Sequence, residues 1–287
     1  MKMGLIVETE WLAYELDDPD LRIFDCSVKL IPHPTKQYTA EPQLEAYRAG
    51  HIPRAAFIDV ANDLSDKNSP LRFTAQSPDD FAAAMSRLGV GDTSKVVLYS
   101  TTTWYWAARV WWLLRANGFD NVALLDGSWK KWTAERRPVA TGEEHYPPAE
   151  FIPKPRYGFF CTKDDVLAAL QSQDTHVLNA LTAEQHDGTG GTTFDRPGHI
   201  TGSINVPAKD LVDPDTNLFL SPDAIRAKFE AAGVLERGKT IAYCGGGIAA
   251  TGDAFGLALI GRGDVSIYDA SLNEWGADPS LPMTTGR

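Results

Sequence analysis

The residues best suited to do chemistry stand in one run, Tyr243-Cys244-Gly245-Gly246-Gly247-Ile248-Ala249-Ala250-Thr251. A single cysteine sits at the mouth of a glycine loop. Before it, Lys239 to Tyr243 reads as a short buried strand, and after it the small-residue stretch from Thr251 reads as a closely packing helix. Three successive glycines let the backbone curl so that N–H groups point at whatever sits on the sulfur. The helix N-terminus adds roughly half a positive charge at the same place. Both effects favour the thiolate, the nucleophilic form of cysteine, over the thiol. The expectation is a nucleophile, Cys244, in an anion cradle that also binds substrate and is formed by Gly245, Gly246, Gly247, Ile248, Ala249 and Ala250. The competing assignment is a buried structural thiol, since free cysteine is among the most buried residue types.

The elements that must position this loop occur twice. Ser77-Pro78-Asp79-Asp80 through Leu88-Gly89-Val90 to Lys95-Val96-Val97-Leu98-Tyr99 matches Ser221-Pro222-Asp223-Ala224 through Ala232-Gly233-Val234 to Lys239-Thr240-Ile241-Ala242-Tyr243, 144 positions later. Gly50-His51-Ile52-Pro53 pairs with Gly198-His199-Ile200-Thr201, and Leu125-Asp126 with Trp132 pairs with Tyr268-Asp269 with Trp275. So long a period means two homologous domains rather than a solenoid. Each copy alternates β-rich runs with helical patterns: Arg22 to Phe24, Val96 to Tyr99 and Val122 to Leu125, then Val177-Leu178, Thr240 to Tyr243 and Val265 to Tyr268. Helix starts are marked by Ser77-Pro78, Ser221-Pro222 and the box Thr162-Lys163-Asp164-Asp165. The fold class is α/β, two homologous domains, each a parallel sheet flanked by helices on both faces. The boundaries read as 1–140 for the first domain, 141–155 for a stiff proline-rich linker with Pro147, Pro148, Pro153 and Pro155, and 156–287 for the second. At the position of Cys244 the first copy has Ser100, in a loop without glycine (Ser100-Thr101-Thr102-Thr103-Trp104-Tyr105). One active and one degenerate domain follow.

Composition narrows the partners. A net charge of −11 argues against nucleic acid or an anionic membrane, and no apolar run approaches the ~20 residues that span a bilayer. The N-terminal residues turn acidic before a signal-peptide core develops. Cys26, Cys161 and Cys244 form neither an even disulfide framework nor CxxC spacing, so a cytoplasmic protein with reduced thiols and no metal is expected. Cys26 is read as core, and Cys161 as an inert thiol beginning a helix. His51 and His199 recur in both copies, one of which lacks a nucleophile, so both are read as structural. Trp132 and Trp275 are read as core anchors, and Asp126 and Asp269 as strand-end carboxylates that accept loop N–H groups. Of Trp104, Trp106, Trp111 and Trp112, most belong to the core and one could wall a cleft between the domains.

With these residues in hand, the chain resembles the tandem-domain rhodanese family, the thiosulfate and 3-mercaptopyruvate sulfurtransferases. The likeness rests on Glu45-Ala46-Tyr47-Arg48-Ala49-Gly50-His51-Ile52-Pro53, Leu64 to Leu71, Arg109-Val110-Trp111-Trp112-Leu113-Leu114-Arg115 and Leu124 to Gly127 in the first domain. In the second it rests on Gly198 to Asn205 and the Cys244 loop. The resemblance implies covalent, ping-pong catalysis without a cofactor. Cys244 takes the outer sulfur of a small-molecule donor as a persulfide, and cyanide or a thiol removes it. Loop N–H groups from Gly245 through Ala250 then stabilise the sulfur anion.

The chain also departs from that pattern. The residues following Cys244 carry neither the basic side chains usual in thiosulfate enzymes nor the Ser and Thr of the mercaptopyruvate loop, which are Gly246 and Ala249 here. The donor-contacting arginine of the family's Asp-Ser-Arg falls on Leu181 of Asn179-Ala180-Leu181, and a first-domain histidine falls on Phe73. Arg196 or His186 is the expected substitute for the arginine, from placement alone. Two rivals stand beside sulfur transfer. A phosphatase or arsenate-reductase-like enzyme needs Cys-x5-Arg, but position 250 is alanine. A non-catalytic sulfur-binding or interaction protein is the other, motivated by Leu181 and the bare loop.

Overall fold

A computed structural model describes residues 3–32, 38–191 and 194–286. The two copies fold as two five-stranded sheets with one shared order. In the first it is Ile6–Val7, Val122–Leu125, Lys95–Tyr99, Leu21–Asp25, Ala55–Phe57. In the second it is Phe160–Cys161, Val265–Tyr268, Lys239–Tyr243, Thr175–Asn179, Ile204–Asn205. Every pairing in both sheets is parallel. The central strands are apolar because both faces are covered: Val96 to Tyr99 and Thr240 to Tyr243 are buried throughout. Helices start where the sequence marks them. Ser77 Oγ accepts the Asp80 N–H, Ser221 Oγ accepts the Ala224 N–H, and Thr162 with Asp165 forms a reciprocal capping box.

The sheets carry short strands that periodicity does not reveal, Ile6–Val7, Ala55–Phe57, Phe160–Cys161 and Ile204–Asn205, each of two or three residues. Cys161 therefore ends an edge strand rather than beginning a helix, which starts only at Lys163. The proline-rich segment is not a free spacer. Tyr146 donates its hydroxyl to the Arg54 carbonyl and accepts the Ile23 N–H, while Phe151 is buried against Phe81 and Phe119. Among the described residues no helix is long and apolar enough to cross a membrane.

The domains meet through repeated parts. Helix Tyr105–Ala116 packs on helix Ala249–Leu259, with Trp111 edge-on to Phe255 at 4.9 Å. Asp126 accepts the Phe219 N–H at 2.9 Å, and its repeat counterpart Asp269 accepts the Ala75 N–H at 2.7 Å. The strand-end carboxylate of each domain thus clasps the equivalent loop of the other. Among the described residues only the Asp269 clasp holds an ion pair: Arg109, 1% exposed, donates to Asp269 Oδ1 at 2.6 Å and to the Phe73 carbonyl at 2.6 Å. The residue 144 positions after Arg109 is Asp253, fully buried without a hydrogen-bond partner among the described residues, and burial pushes its carboxyl well up. Removing one carboxylate from each clasp is therefore expected to cost unequal amounts. Asp126→Ala leaves one N–H without its acceptor, about 1–3 kcal/mol. Asp269→Ala also strands a buried guanidinium, about 3–5 kcal/mol. Denaturant unfolding of the two variants checks this, and equal losses would contradict the asymmetric clasp.

Candidate active site

Cys244 follows the central strand Lys239–Tyr243 at its carboxyl end, where open parallel sheets place their ligand crevice. It is 2% exposed. The loop after it is fastened by the turn that leads into helix Ser271–Trp275. Ser271 Oγ accepts the N–H of Cys244 at 3.1 Å and of Gly247 at 3.2 Å, and donates to the Tyr268 carbonyl at 2.7 Å. The next two amides continue the work: Leu272 N–H donates to the Cys244 carbonyl and Asn273 N–H to the Gly245 carbonyl. Ser271 occupies a left-handed conformation to do so, with φ +50°.

The glycines serve different ends. Gly247 alone of the three takes a positive φ, +76°, which sets the curl. Gly245 is needed for space, since a Cβ there would lie 2.0 Å from the Phe194 ring. The amides of Gly245, Gly246 and Ile248 donate to no acceptor among the described residues. The degenerate loop behaves oppositely. Thr101 N–H donates to Ser27 Oγ at 2.7 Å and Thr102 N–H to Ser100 Oγ at 3.2 Å, so hydroxyls occupy the amides equivalent to those of Gly245 and Gly246. The second loop leaves these donors without a described acceptor; the first spends them internally.

Cys244 opens on a cavity of about 190 Å³ between the domains. The second domain contributes Leu181, Gln185, Phe194, Gly245, Gly246, Ile248 and Ala249, and the first contributes Leu30, Pro32, Tyr38, Phe73, Tyr105 and Trp106. Of the four tryptophans near the degenerate loop, Trp106 is the one that walls the cleft. Cys26 lies in the core at 0% exposure. Cys161 faces a separate groove, and burial first, then the charges of Asp165 and Asp269, push its thiol up to about 12.

Four of the cradle residues expected to bind substrate line the cavity: Gly245, Gly246, Ile248 and Ala249. Gly247 and Ala250 do not. Gly247 turns its N–H back to Ser271 and its carbonyl accepts from Arg109 at 3.4 Å, so it shapes the loop instead of contacting a ligand. Ala250 is fully buried in the first turn of the helix.

The expected substitutes for the missing arginine fail on geometry. Arg196 donates to the carbonyls of Gly276, Leu281, Trp275 and Asp278 at 2.6–2.9 Å, which uses its guanidinium to staple the C-terminal turn. His186 is buried with its ring stacked 3.7 Å from His199, and its Nδ1 accepts from Asn179 Nδ2 at 3.1 Å. Burial first, and the neighbouring His199 second, push His186 down to about 4, so it presents no cation at neutral pH. The repeat histidines are indeed structural. Nδ1 of His51 bonds the Tyr47 carbonyl and Nδ1 of His199 the His186 carbonyl, both within 2.9 Å. Sequence reasoning missed Tyr38, Tyr105, Gln185 and Phe194 as cavity residues. None carries a local signal; Gln185 closes the Thr182 capping box at the third helical position.

A cysteine after the central parallel strand, beside open amides in a crevice between two like domains, is an arrangement in which a thiolate can act as a nucleophile. The rhodanese-like domain model matches twice, over residues 8–135 and 162–278. The 3-mercaptopyruvate sulfurtransferase of Mus musculus is 34% identical, covering 98% of this chain and 96% of its own. That of Escherichia coli K12 is 31% identical over 99% of both. The crystal structure of SseA from Escherichia coli, a 3-mercaptopyruvate sulfurtransferase, superposes with a TM-score of 0.81 at 29% identity, covering 94% of this chain and 99% of SseA. The chain belongs to the rhodanese-like family and is one of its two-domain sulfurtransferases.

The depressed His186 has a stability consequence. Below its ordinary value of 6.5 the unfolded chain takes up a proton that the folded chain refuses until about 4. This contribution is intact above pH 6.5 and is lost as the pH falls toward 4, by roughly 3 kcal/mol. His186→Gln is expected to lose less stability than the parent between pH 7 and 4.5 in urea unfolding. Parallel pH profiles would show that His186 is not held neutral.

Proposed function

We propose that the protein moves a sulfane sulfur from a small-molecule donor to a thiol or to cyanide through a persulfide on Cys244. One observation carries this: the cysteine shares an interdomain cavity with three loop amides, those of Gly245, Gly246 and Ile248, that have no protein acceptor among the described residues. In the first half-reaction the Cys244 thiolate attacks the outer sulfur of the donor. With thiosulfate the S–S bond breaks and its electron pair leaves with sulfite. With 3-mercaptopyruvate the C–S bond breaks and the carbon takes up the thiol proton as pyruvate. In the second, cyanide or a thiol attacks the outer sulfur of the persulfide and the Cys244 thiolate returns. The open amides meet the negative sulfur in both half-reactions, the preorganised-dipole role. The relatives' names favour 3-mercaptopyruvate over thiosulfate as the family donor.

The cycle closes on one sulfur atom and calls on no cofactor or metal. A cytoplasmic setting suits three free thiols, and the acidic surface suits neither nucleic acid nor membrane as partner. Cys244→Ser is expected to abolish transfer while the thermal midpoint barely moves, because the hydroxyl fits the same small space. Mass spectrometry after incubation with each donor should find one added sulfur atom on Cys244 and none on the variant. Retained turnover in Cys244→Ser would refute the assignment.

A further inference from the structure

The walls of the cavity say more about the donor than the cradle does. Among its described lining residues there is no lysine, arginine or histidine. Leu181 stands on the wall where the family resemblance implies an arginine, and Gln185 is a neutral neighbour on the same wall. Arg72 and Arg109 stand outside this lining. Arg72 donates to the Tyr38 carbonyl at 2.7 Å with its guanidinium 5.4 Å from the Tyr38 ring, and Arg109 is paired with Asp269. The remaining polar side chains, Tyr38, Tyr105 and Gln185, are uncharged. Among the described lining residues a dianion entering here meets uncharged donors alone, and the loop amides among them are needed by the reacting sulfur as well; desolvating an unpaired charge is costly. Meanwhile Phe73, Phe194, Trp106 and Leu181 offer apolar and aromatic surface that thiosulfate leaves unused. An apolar cavity of about 150 Å³ holds a benzene ring, and this one measures about 190 Å³.

We propose that the site selects sulfur donors with an apolar organic body, such as aryl or alkyl persulfides and thiosulfonates, over thiosulfate and 3-mercaptopyruvate, with Leu181 and Phe194 as the residues that set this preference. The inference rests on the persulfide reading above and specifies its substrate class. For an arylthiosulfonate the step balances simply. The Cys244 thiolate attacks the outer sulfur, the S–S bond breaks, and the electron pair leaves with the arylsulfinate, so no further reactant is required. The aryl body lies between Phe194 and the first-domain wall during the attack and then leaves to solvent as part of the sulfinate.

The test measures persulfide formation on Cys244 with thiosulfate, 3-mercaptopyruvate, methanethiosulfonate, benzenethiosulfonate and inorganic polysulfide, each rate divided by that donor's rate with free cysteine. Benzenethiosulfonate is expected to show the largest enhancement, at least about tenfold over thiosulfate and mercaptopyruvate, the discrimination that apolar pocket contacts supply. It should also exceed methanethiosulfonate, which matches it in charge. Leu181→Arg is expected to reverse the order, raising the thiosulfate rate and lowering the aryl rate. Phe194→Ala should lower the benzenethiosulfonate rate by a larger factor than the methanethiosulfonate rate. Equal or greater enhancement for thiosulfate or mercaptopyruvate in the unaltered protein overturns the donor class while leaving the persulfide reading intact. Failure of every donor, polysulfide included, overturns both.

Discussion

One hydroxyl holds the site in shape. Ser271 Oγ gathers the amides of Cys244 and Gly247 and is itself anchored to the Tyr268 carbonyl, so the start of the loop and its turning point hang from the same atom. Each such bond contributes only about 1 kcal/mol net. Their geometric effect is larger than their energy. With Cys244 and Gly247 tied back, the intervening Gly245 and Gly246 and the following Ile248 keep amides that no described group accepts. The first domain repeats the device without its result. Ser128 Oγ holds the Ser100 N–H and donates to the Ser100 carbonyl, yet the next two amides are closed by Ser27 and Ser100. The two copies differ in where the loop's donors are spent, as much as in the change of sulfur to oxygen.

The degenerate copy is nonetheless part of the site. It supplies the wall formed by Tyr38, Phe73, Tyr105 and Trp106, and through Arg109 it reaches the carbonyl of Gly247 and the carboxylate of Asp269. The crossed Asp126 and Asp269 bonds hold the two copies in register, so the cavity is a product of the duplication rather than of either domain alone. On the proposed reading one copy carries the nucleophile and the other supplies part of the surface that meets the substrate.

Much of this was legible in the sequence, and the reasons are physical. The duplication, the long central strands and the helix starts follow from patterns spread over many residues, and the structure carries each of them. The cysteine loop was legible because glycine and cysteine are informative residue types. The short edge strands were not, because two or three residues carry no period. Arg196 and His186 looked like anion contacts because charge and chain position are visible while partners are not. The structure instead gives Arg196 four carbonyls and His186 a stacked histidine. The cavity walls were equally hidden. Phe194 and Tyr38 belong to different domains and meet edge to face, 6.4 Å between ring centroids, only after folding.

The claim on which this account turns is that the posture of the loop, imposed by Ser271, makes Cys244 an efficient sulfur acceptor. Rapid-quench measurement of persulfide formation in Ser271→Ala, at saturating donor and with the folded fraction followed by circular dichroism, addresses it directly. The account predicts a single-turnover rate about 100-fold below that of the parent, the scale on which small misplacements of a reacting group act. A folded variant that forms the persulfide at the parent rate would contradict it.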